Sequence, residues 1–338
     1  MYLPQVFSLA PLLLLVVPAG DFKYAPEEGS KIQRVYTSVL EMELIEAEVE
    51  IVVDGEVQDA PQPEVEVSVR QESSQQVTDT FEKVADGNIL VLTRAYEALS
   101  HSESVEVTVN GEEQDGQDSE SESDLEGLTV RFTFDEESDE WKKAWFEDDE
   151  GDEDLLEYLE ATTGYSFLLP LGEIAVGEEW ELDDDEAVQG LRLLLDPLGE
   201  LNMLGEEDDS EEELATAILF REGIETEEFL LQLKSMEDGQ AVIVFKVEGS
   251  TEFERTPELP EEMQAMGMEV LEGFELALEI EGELVWDLAA QHMISLEYTS
   301  ELEMLNSSTQ SGSGPAGEVE ITQSQSFEGE ITFEVTLQ

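Results

Sequence analysis

The chain has 338 residues, and its 86 acidic side chains against 14 basic ones give a formal net charge of −72. Phosphate backbones and anionic membrane surfaces attract proteins through Lys and Arg, so this charge excludes nucleic acids and anionic membrane surfaces as partners. The sequence holds no cysteine, which excludes disulfides and thiolate chemistry.

The charge also indicates an environment. Self-repulsion on this scale destabilises a compact state in dilute buffer, whereas high salt screens most of it. The composition is therefore typical of halophilic or marine adaptation, or of another protein that meets salty water outside the cell. Hydrophobic residues still make up 40% of the chain, which is enough to bury a core.

The N-terminal segment, residues 1–19, is predicted to be a signal peptide. It carries no charged side chain, and its apolar run Leu12–Val17 is followed by Val17-Pro18-Ala19, where a signal peptidase would cleave. A retained membrane anchor is the alternative, and three prolines count against it. The sequence therefore predicts export to the periplasm or the extracellular space, with a mature chain that begins near Gly20.

Most of the remaining sequence alternates between apolar and polar residues. This is the pattern of strands with one apolar and one solvated face, and the clearest runs are Glu275–Trp286 and Glu330–Leu337. In the run from Glu41 to Ile51 the alternation changes phase at Leu44-Ile45, which predicts a β-bulge there.

Four dipeptides that favour tight hairpins separate these runs, because each supplies residues that adopt positive φ. They are Asp54-Gly55, Asp86-Gly87, Asn110-Gly111 and Asp238-Gly239. Short connections join neighbouring antiparallel strands, so the sequence predicts an antiparallel meander.

Helical patterns are confined to the middle of the chain, and we expect these helices to cover an apolar face of the sheet. The four segments are Leu155–Leu159, Asp184–Leu195, Glu211–Leu219 and Pro260–Leu271. The predicted fold class is therefore α+β, a large antiparallel sheet with a few covering helices. Such a meander can also curve into a half-barrel.

The segment 20–338 is predicted to form a single domain. Residues 111–126 consist almost wholly of Glu, Asp, Gln, Ser and Gly, which is typical of an acidic, disordered loop. The strand pattern that follows this loop needs partners from the segment before it, which favours one domain. The alternative is a lobe boundary near residues 136–154. A second polar stretch, Asn306–Gly317, is expected to separate two strands.

The densest run of carboxylates, residues 148–154, is a candidate metal site. Hard cations such as calcium take six to eight oxygen ligands. The spacing is not that of an EF-hand loop, so we expect weak calcium binding at most and no other cofactor. The candidate ligands are Asp148, Asp149, Glu150, Asp152 and Asp154.

No catalytic residues can be assigned from the sequence. It contains no G-x-S-x-G or H-E-x-x-H motif and no nucleophilic cysteine, which predicts a non-enzymatic protein. A carboxylate-dependent glycan hydrolase is the alternative, because acids are abundant and tryptophans could stack on sugar rings. The four tryptophans are Trp141, Trp145, Trp180 and Trp286.

Leucine and methionine are concentrated in the predicted helices. These soft side chains adapt to irregular apolar ligands, and against a curved sheet they could line a lipid-sized cavity. An ordinary core between helix and sheet is the alternative. The candidate cavity residues are Leu191, Leu194, Leu195, Met263, Met266 and Trp286.

Three segments of the C-terminal half resemble uncharacterised secreted β-rich proteins of planctomycete-like bacteria. They are Leu169–Trp180, Leu231–Ala241 and Gly282–Asp287. The resemblance implies a large antiparallel sheet and no assigned activity. More remotely, a sheet with covering helices is similar to periplasmic lipoprotein carriers, whose half-open barrels hold acyl chains.

The function predicted from the sequence is a binding or structural role outside the cytoplasm. An apolar ligand, such as a lipid, or an envelope component is the expected partner. A glycan hydrolase and a calcium-stabilised surface protein are the alternatives.

Overall fold

A computed structural model describes most of the chain, and the described residues are mostly strand. They are residues 16–17, 22, 24–58, 64–85, 88–114, 116–121, 123–138, 140–147, 151–153, 155–156, 159, 161, 165–195, 224–257, 259, 268–314 and 317–337.

The described part of the chain contains sixteen strands, several of them more than 20 residues long, one α-helix whose bounds are described, and a 3₁₀ helix at Ser166–Leu168. The strands are β1 (Val16–Val17), β2 (Lys31–Val53), β3 (Glu56–Gln58), β4 (Val65–Ala85), β5 (Asn88–Val109), β6 (Glu112–Glu113), β7 (Gln117–Ser121), β8 (Thr129–Asp135), β9 (Glu140–Trp145), β10 (Ile174–Ala175), β11 (Glu179–Glu181), β12 (Glu225–Glu237), β13 (Gln240–Arg255), β14 (Glu269–Asp287), β15 (His292–Gly314) and β16 (Gly317–Leu337). The α-helix is α1 (Asp184–Leu195).

Fourteen strands form one antiparallel sheet in the order β11-β12-β13-β14-β15-β16-β2-β4-β5-β8-β9. The short strands β3, β6 and β7 pair outside this path, β3 with β2 and the other two with β5. Within its described strands the sheet is open, with β11 and β9 at its edges. The predicted large antiparallel sheet is confirmed.

The sheet has two halves, each of them a meander of consecutive strands. Strands β2 to β9 form one half and β11 to β16 the other. The halves meet where β16 pairs with β2, from Val319 opposite Val53 to Leu337 opposite Arg34. Strands about 300 residues apart in sequence therefore lie side by side in the middle of the sheet.

The described hairpin turns confirm the sequence predictions. Asp54, Asn110 and Asp238 have φ of 52°, 51° and 53°, and the glycine after each also has positive φ. Each dipeptide joins two paired strands, as a two-residue hairpin of this kind requires. The fourth dipeptide, Asp86-Gly87, lies outside the described residues.

The predicted β-bulge is also present. Leu44 pairs with Phe327 and Glu46 pairs with Ser326, so Ile45 is the extra residue of β2. Ile45 is 53% exposed. The bulge keeps Leu44 and Ala47 on one face of the sheet, in spite of the phase change in the sequence.

One face of the sheet, which we call the inner face, carries the core. Ile243, Phe245 and Val247 of β13 alternate with less buried residues, and all three are buried. Helix α1 packs on this face through Leu191 and Leu194, which are fully buried.

The position of α1 depends on two further contacts with the sheet. The Tyr298 hydroxyl donates a hydrogen bond to the Leu194 carbonyl. A Cβ on Gly249 would lie 3.0 Å from Leu191 Cδ2, so the glycine gives the helix room to approach.

The helix predictions have mixed outcomes. Asp184–Leu195 is confirmed as α1, with three acidic residues in its first turn and Arg192 in its last, the arrangement that the helix dipole favours. Leu155 and Leu156 are helical but Leu159 is not, and Glu211–Leu219 lies outside the described residues. The described helix content is therefore smaller than the predicted α+β class implies.

The prediction of a helix over Pro260–Leu271 is wrong at its C-terminal end. Residues 260–267 lie outside the described residues, but Glu269–Leu271 begin β14. Val270 is buried on the inner face and continues the period-two series of Phe274 and Leu276, so pairing with β15 prevails. None of the described helices is long and apolar enough to cross a membrane.

Of the predicted signal peptide, residues 16–17 are described. They form β1, which pairs antiparallel with β10 in a small sheet separate from the large one. Cleavage of the segment stays a prediction.

The two polar stretches contain more strand than their composition predicts. Within residues 111–126, β6 and β7 pair with β5 and Leu125 is fully buried. Within Asn306–Gly317, β15 continues to Gly314 and β16 begins at Gly317. The expected separation is therefore wrong for most of that stretch, because a backbone ladder needs no apolar side chain. A single domain stays a prediction.

Candidate functional site

The predicted cavity residues lie in a packed core in the described structure. Leu191, Leu194 and Trp286 are fully buried, and Leu195 is partly buried against them. Met263 and Met266 lie outside the described residues. The described members therefore belong to the buried core of the inner face, and the ligand cavity stays a prediction.

An open groove of about 700 Å³ lies on the opposite face of the sheet, which we call the outer face. It crosses β11 to β16, and its lining includes five glutamates and one lysine. These charged residues are Glu179, Glu281, Glu283, Glu297, Glu334 and Lys246. The charged residues give the groove a negative potential, although Leu230 and Val244 also line it.

Glutamates on the outer face oppose one another across the strands. The longest series, which we call the glutamate row, crosses six adjacent strands about 4.8 Å apart. It consists of Glu228, Glu248, Glu279, Glu301, Glu330 and Glu41. Lys246 pairs with Glu248 and Glu279 at 2.7 Å each, and Arg70 pairs with Glu41. One end of the row therefore has a cation beside it, and a second cation lies beside two glutamates within the row.

The inner face holds a buried charged group, which we call the arginine cluster, formed by Arg34, Asp79 and Arg94. All three are at most 2% exposed. Arg94 donates to Asp79 from Nε at 2.7 Å and from Nη2 at 3.2 Å, and Arg34 donates to Asp79 from Nη1. The ring of Phe132 lies beneath Arg94, 5.7 Å from the guanidinium carbon.

The electrostatics of the cluster favour its charged form. Burial alone would raise the pKa of Asp79, but the charges and hydrogen bonds of Arg94 and Arg34 outweigh it and hold that pKa below its usual value. Burial raises the pKa of Tyr24 to about 12, against the opposing charge of Arg34. Tyr24 therefore stays a neutral hydroxyl, which accepts a hydrogen bond from Arg34 at 2.8 Å.

Several buried donors of the inner face have no hydrogen-bond partner among the described protein groups. They include Arg34 Nε of the cluster, the Tyr165 hydroxyl and Trp286 Nε1. Tyr165 also has a φ of 55°, in the left-handed region that non-glycine residues rarely adopt. Unsatisfied donors and backbone strain therefore occur together here.

Sequence reasoning missed the arginine cluster, although a signal for it existed. Each member occupies the apolar phase of an alternating run: Arg34 follows Ile32, Asp79 lies between Val77 and Phe81, and Arg94 lies between Leu92 and Tyr96. Burying a charged side chain at a position that faces the core costs free energy unless the charge is paired. Three such positions therefore predict a buried network of paired charges.

The calcium prediction stays untested. Of its candidates, Asp152 is the one described. Among the described residues no group of three or more histidine, aspartate or glutamate side chains is placed to hold a metal ion.

The tryptophans do not form a sugar platform in the described structure. Trp286 is fully buried, and the other three are partly buried against the core. The described lining of the outer groove contains none of the four. These positions give the glycan hydrolase alternative no support.

Comparison with known proteins does not assign the chain to a family. No family model matches the sequence, and no curated protein matches it. The resemblance to planctomycete-like secreted proteins therefore stays a prediction.

Solved structures with some likeness are outer membrane and secretion proteins. The outer membrane protein OprG from Pseudomonas aeruginosa has 6% identity over 92% of this chain and 98% of its own, with a TM-score of 0.25. The Type IV competence pilus secretin PilQ of V. cholerae has 8% identity over 91% and 60%, with a TM-score of 0.16. Scores this low carry no argument about fold, location or function.

Proposed function

We propose that the protein is an exported, non-enzymatic binding protein whose inner face takes up an apolar ligand. The observation that carries the proposal is the combination of a broad apolar inner face with buried donors, among them Arg34 Nε and Trp286 Nε1, that have no hydrogen-bond partner among the described residues. A core that serves stability alone gains nothing from unpaired donors, because each costs about 1–3 kcal/mol.

The ligand would take the place of α1 on the inner face. Two fully buried leucines, Leu191 and Leu194, contribute about 3–6 kcal/mol to the docking of the helix. An alkyl chain of twelve carbons gains about 10 kcal/mol when it leaves water. The exchange therefore favours the ligand by a few kcal/mol before the cost of association.

Export is part of the proposal and is supported by the sequence. The apolar leader and the net charge of −72 together favour a salty compartment outside the cytoplasm. A half-barrel form of the open sheet would place the inner face around the ligand.

The test is mass spectrometry of organic extracts from the full chain, exported by a bacterial host and purified in 1 M NaCl. We expect an apolar compound in stoichiometric amount that is absent from a mock purification. A matched sample, unfolded in urea and washed before extraction, controls for adsorption. A clean extract from protein that circular dichroism shows to be folded would contradict the proposal.

A further inference from the structure

The tripeptide Asn306-Ser307-Ser308 is the one Asn-x-Ser/Thr motif in the chain. None of the other three asparagines in the sequence has serine or threonine two residues later. In exported proteins this motif is the acceptor of N-linked saccharides, and the asparagine amide and the hydroxyl two residues later are the groups that define it.

Strand geometry places these two groups of the motif on the same face of the sheet. The motif lies within β15, and side chains two residues apart in a strand point to the same side. Asn306 lies opposite Phe274 of β14, which is buried on the inner face. Asn306 and Ser308 therefore both lie on the inner face, and Ser307 lies on the outer face between them.

The inner face meets solvent at this position. Tyr298 of β15 is buried, but Asn306, further along the same strand, is partly exposed. Gln325 of β16 lies opposite Asn306 and Gln323 lies opposite Ser308, and both glutamines are exposed. A group attached to Asn306 therefore extends into solvent and not into the core.

The surroundings of Asn306 carry no charge, which sets them apart from the rest of the chain. Residues 304–317 contain no charged side chain, whereas charged residues make up 30% of the whole sequence. The neighbours on the inner face carry amides and hydroxyls, and they are Ser308, Gln310, Gln323 and Gln325. These groups donate and accept hydrogen bonds, as the hydroxyls of a saccharide do. The folded sheet can therefore hold a saccharide here without burying a charge.

We propose that Asn306 is an acceptor of an N-linked saccharide. The inference goes beyond the proposed function and rests on its export part alone, because this modification belongs to exported proteins. In the transfer, Nδ2 of Asn306 forms a bond to C1 of a sugar carried on a lipid phosphate. The bond between C1 and the phosphate oxygen breaks, the phosphate leaves with the electron pair, and the amide loses one proton to a base.

The transfer precedes the pairing of β15 with its neighbours. In the folded sheet the backbone of Asn306 lies between β14 and β16, so a transferase cannot bind the tripeptide along either edge. The saccharide is therefore attached before the sheet forms. The exposure of Asn306 then allows the sheet to form with the saccharide in place.

The experiment is intact mass spectrometry of the full chain, exported by a bacterial host that makes a lipid-linked oligosaccharide and an oligosaccharide transferase. The transferase is one that modifies a carrier protein presenting residues 303–309 in an exposed loop. The variants Asn306→Gln and Ser308→Ala each remove one of the two groups that define the motif. The matched control is Ser307→Ala, which changes the middle residue and keeps both groups.

We expect the unmodified chain and Ser307→Ala to gain the mass of one oligosaccharide, and Asn306→Gln and Ser308→Ala to gain none. The measurement is the mass of the exported chain, so it does not depend on whether a variant folds. An exported, unmodified chain that gains no mass would overturn the proposal. A gain in mass that persists in Asn306→Gln would overturn it as well, because the saccharide would then be attached elsewhere.

Failure of this proposal differs from failure of the proposed function. A chain that stays in the cytoplasm would contradict export, on which both proposals rest. An exported chain without a saccharide contradicts the assignment of Asn306 alone, because the test for an apolar ligand by organic extraction does not involve that residue.

Discussion

At the residue scale, the arginine cluster makes the strongest prediction about stability. Asp79→Asn leaves two guanidinium groups in the core without the carboxylate that joins them. Removing one partner of a buried ionic group costs about 3–5 kcal/mol, because the remaining charges stay desolvated. We expect that loss in the free energy of unfolding, measured by urea denaturation in 1 M NaCl.

The control for this prediction is Asp124→Asn, which removes the charge of an exposed aspartate. In a chain with so many acids this change should alter stability by less than about 0.5 kcal/mol. Equal effects of the two substitutions would show that Asp79 is not part of a stabilising network.

The lowered pKa of Asp79 predicts a pH dependence with a definite sign. The folded state binds a proton at Asp79 less readily than the unfolded state does, so the contribution of the charge is complete above the unfolded pKa of about 4. Below that pH the difference in unfolding free energy between the unmodified protein and Asp79→Asn should shrink by about 1.4 kcal/mol per pH unit. Urea titrations from pH 7 to pH 2.5 measure it.

The other acids do not obscure this result. Their protonation relieves repulsion in the unmodified protein and in Asp79→Asn alike, so it cancels in the difference. A difference that stayed constant below pH 4 would contradict an ionised Asp79 in the folded protein.

At the element scale, the bulge at Ile45 predicts that one deletion in a long strand is tolerated. Removing Ile45 leaves Leu44 and Glu46 adjacent, opposite the adjacent pair Phe327 and Ser326. No side chain changes face, and an exposed isoleucine is lost. We expect the deletion to change the thermal midpoint by only a few degrees.

Deletion of Thr299 is the matched comparison, because β15 has no irregularity in its pairing with β16 there. On one side of the deletion, the residues of β15 would shift by one position and their apolar side chains would face solvent, since side chains alternate with a period of two. We expect this deletion to abolish folding, as judged by near-UV circular dichroism. If both deletions had the same effect, the bulge would not be what sets the register.

The glutamate row predicts a second effect at this scale. Glu301 lies between Glu279 and Glu330 across the strands, and like charges directly opposite one another destabilise a sheet. Glu301→Gln should therefore stabilise the protein by about 1 kcal/mol in 50 mM NaCl and by almost nothing in 1 M NaCl. Thermal melts at both salt concentrations measure the change.

Glu320→Gln is the control for the row. Glu320 is exposed on β16 as well, but its cross-strand neighbours are Ser311 and Val52. The loss of its charge relieves only long-range repulsion. A stabilisation equal to that of Glu301→Gln would mean that the opposition of glutamates in the row has no separate effect.

The elements show which parts of the fold could be predicted from the sequence. Alternation and turn chemistry are local signals, so the strands, the three described Asp-Gly and Asn-Gly hairpins, the bulge and α1 could be predicted. Residues 306–314 could not, because their polar side chains are held in β15 by the backbone ladder with β16. The same limit applies to β7, which pairs with the exposed edge of β5.

The candidate site was less predictable than the fold, for a physical reason. Trp286 and α1 could be predicted as part of the core because large apolar side chains are a local signal in the sequence. The arginine cluster depends on the register between β2, β4 and β5, which sets Asp79 opposite Arg94 and one diagonal step from Arg34. Register is a property of pairs of strands, so no single run of sequence contains it.

At the scale of the whole molecule, the net charge of −72 predicts a strong dependence of stability on salt. The Debye length falls from about 10 Å at 0.1 M to about 3 Å at 1 M, which screens repulsion between neighbouring rows of glutamates. We expect the thermal midpoint to rise by several degrees over this range, by differential scanning calorimetry.

Two further measurements give this prediction its controls. KCl should act as NaCl does at equal ionic strength, because the effect is one of screening. A fall in the thermal midpoint on addition of EDTA at constant ionic strength would favour the calcium-stabilised alternative. A thermal midpoint independent of salt would contradict the view that repulsion limits stability.

The pairing of β16 with β2 has a consequence for the time before folding is complete. A chain that emerges N-terminus first, from a ribosome or a secretion pore, exposes β2 long before residues 317–337 arrive to cover it. A bare strand edge of that length invites association with other chains. The unpaired edge of β2 carries five glutamates, Glu41, Glu43, Glu46, Glu48 and Glu50. The negative charge of these glutamates destabilises the folded sheet by repulsion. Before the sheet is complete, the same charge repels other chains and so opposes aggregation.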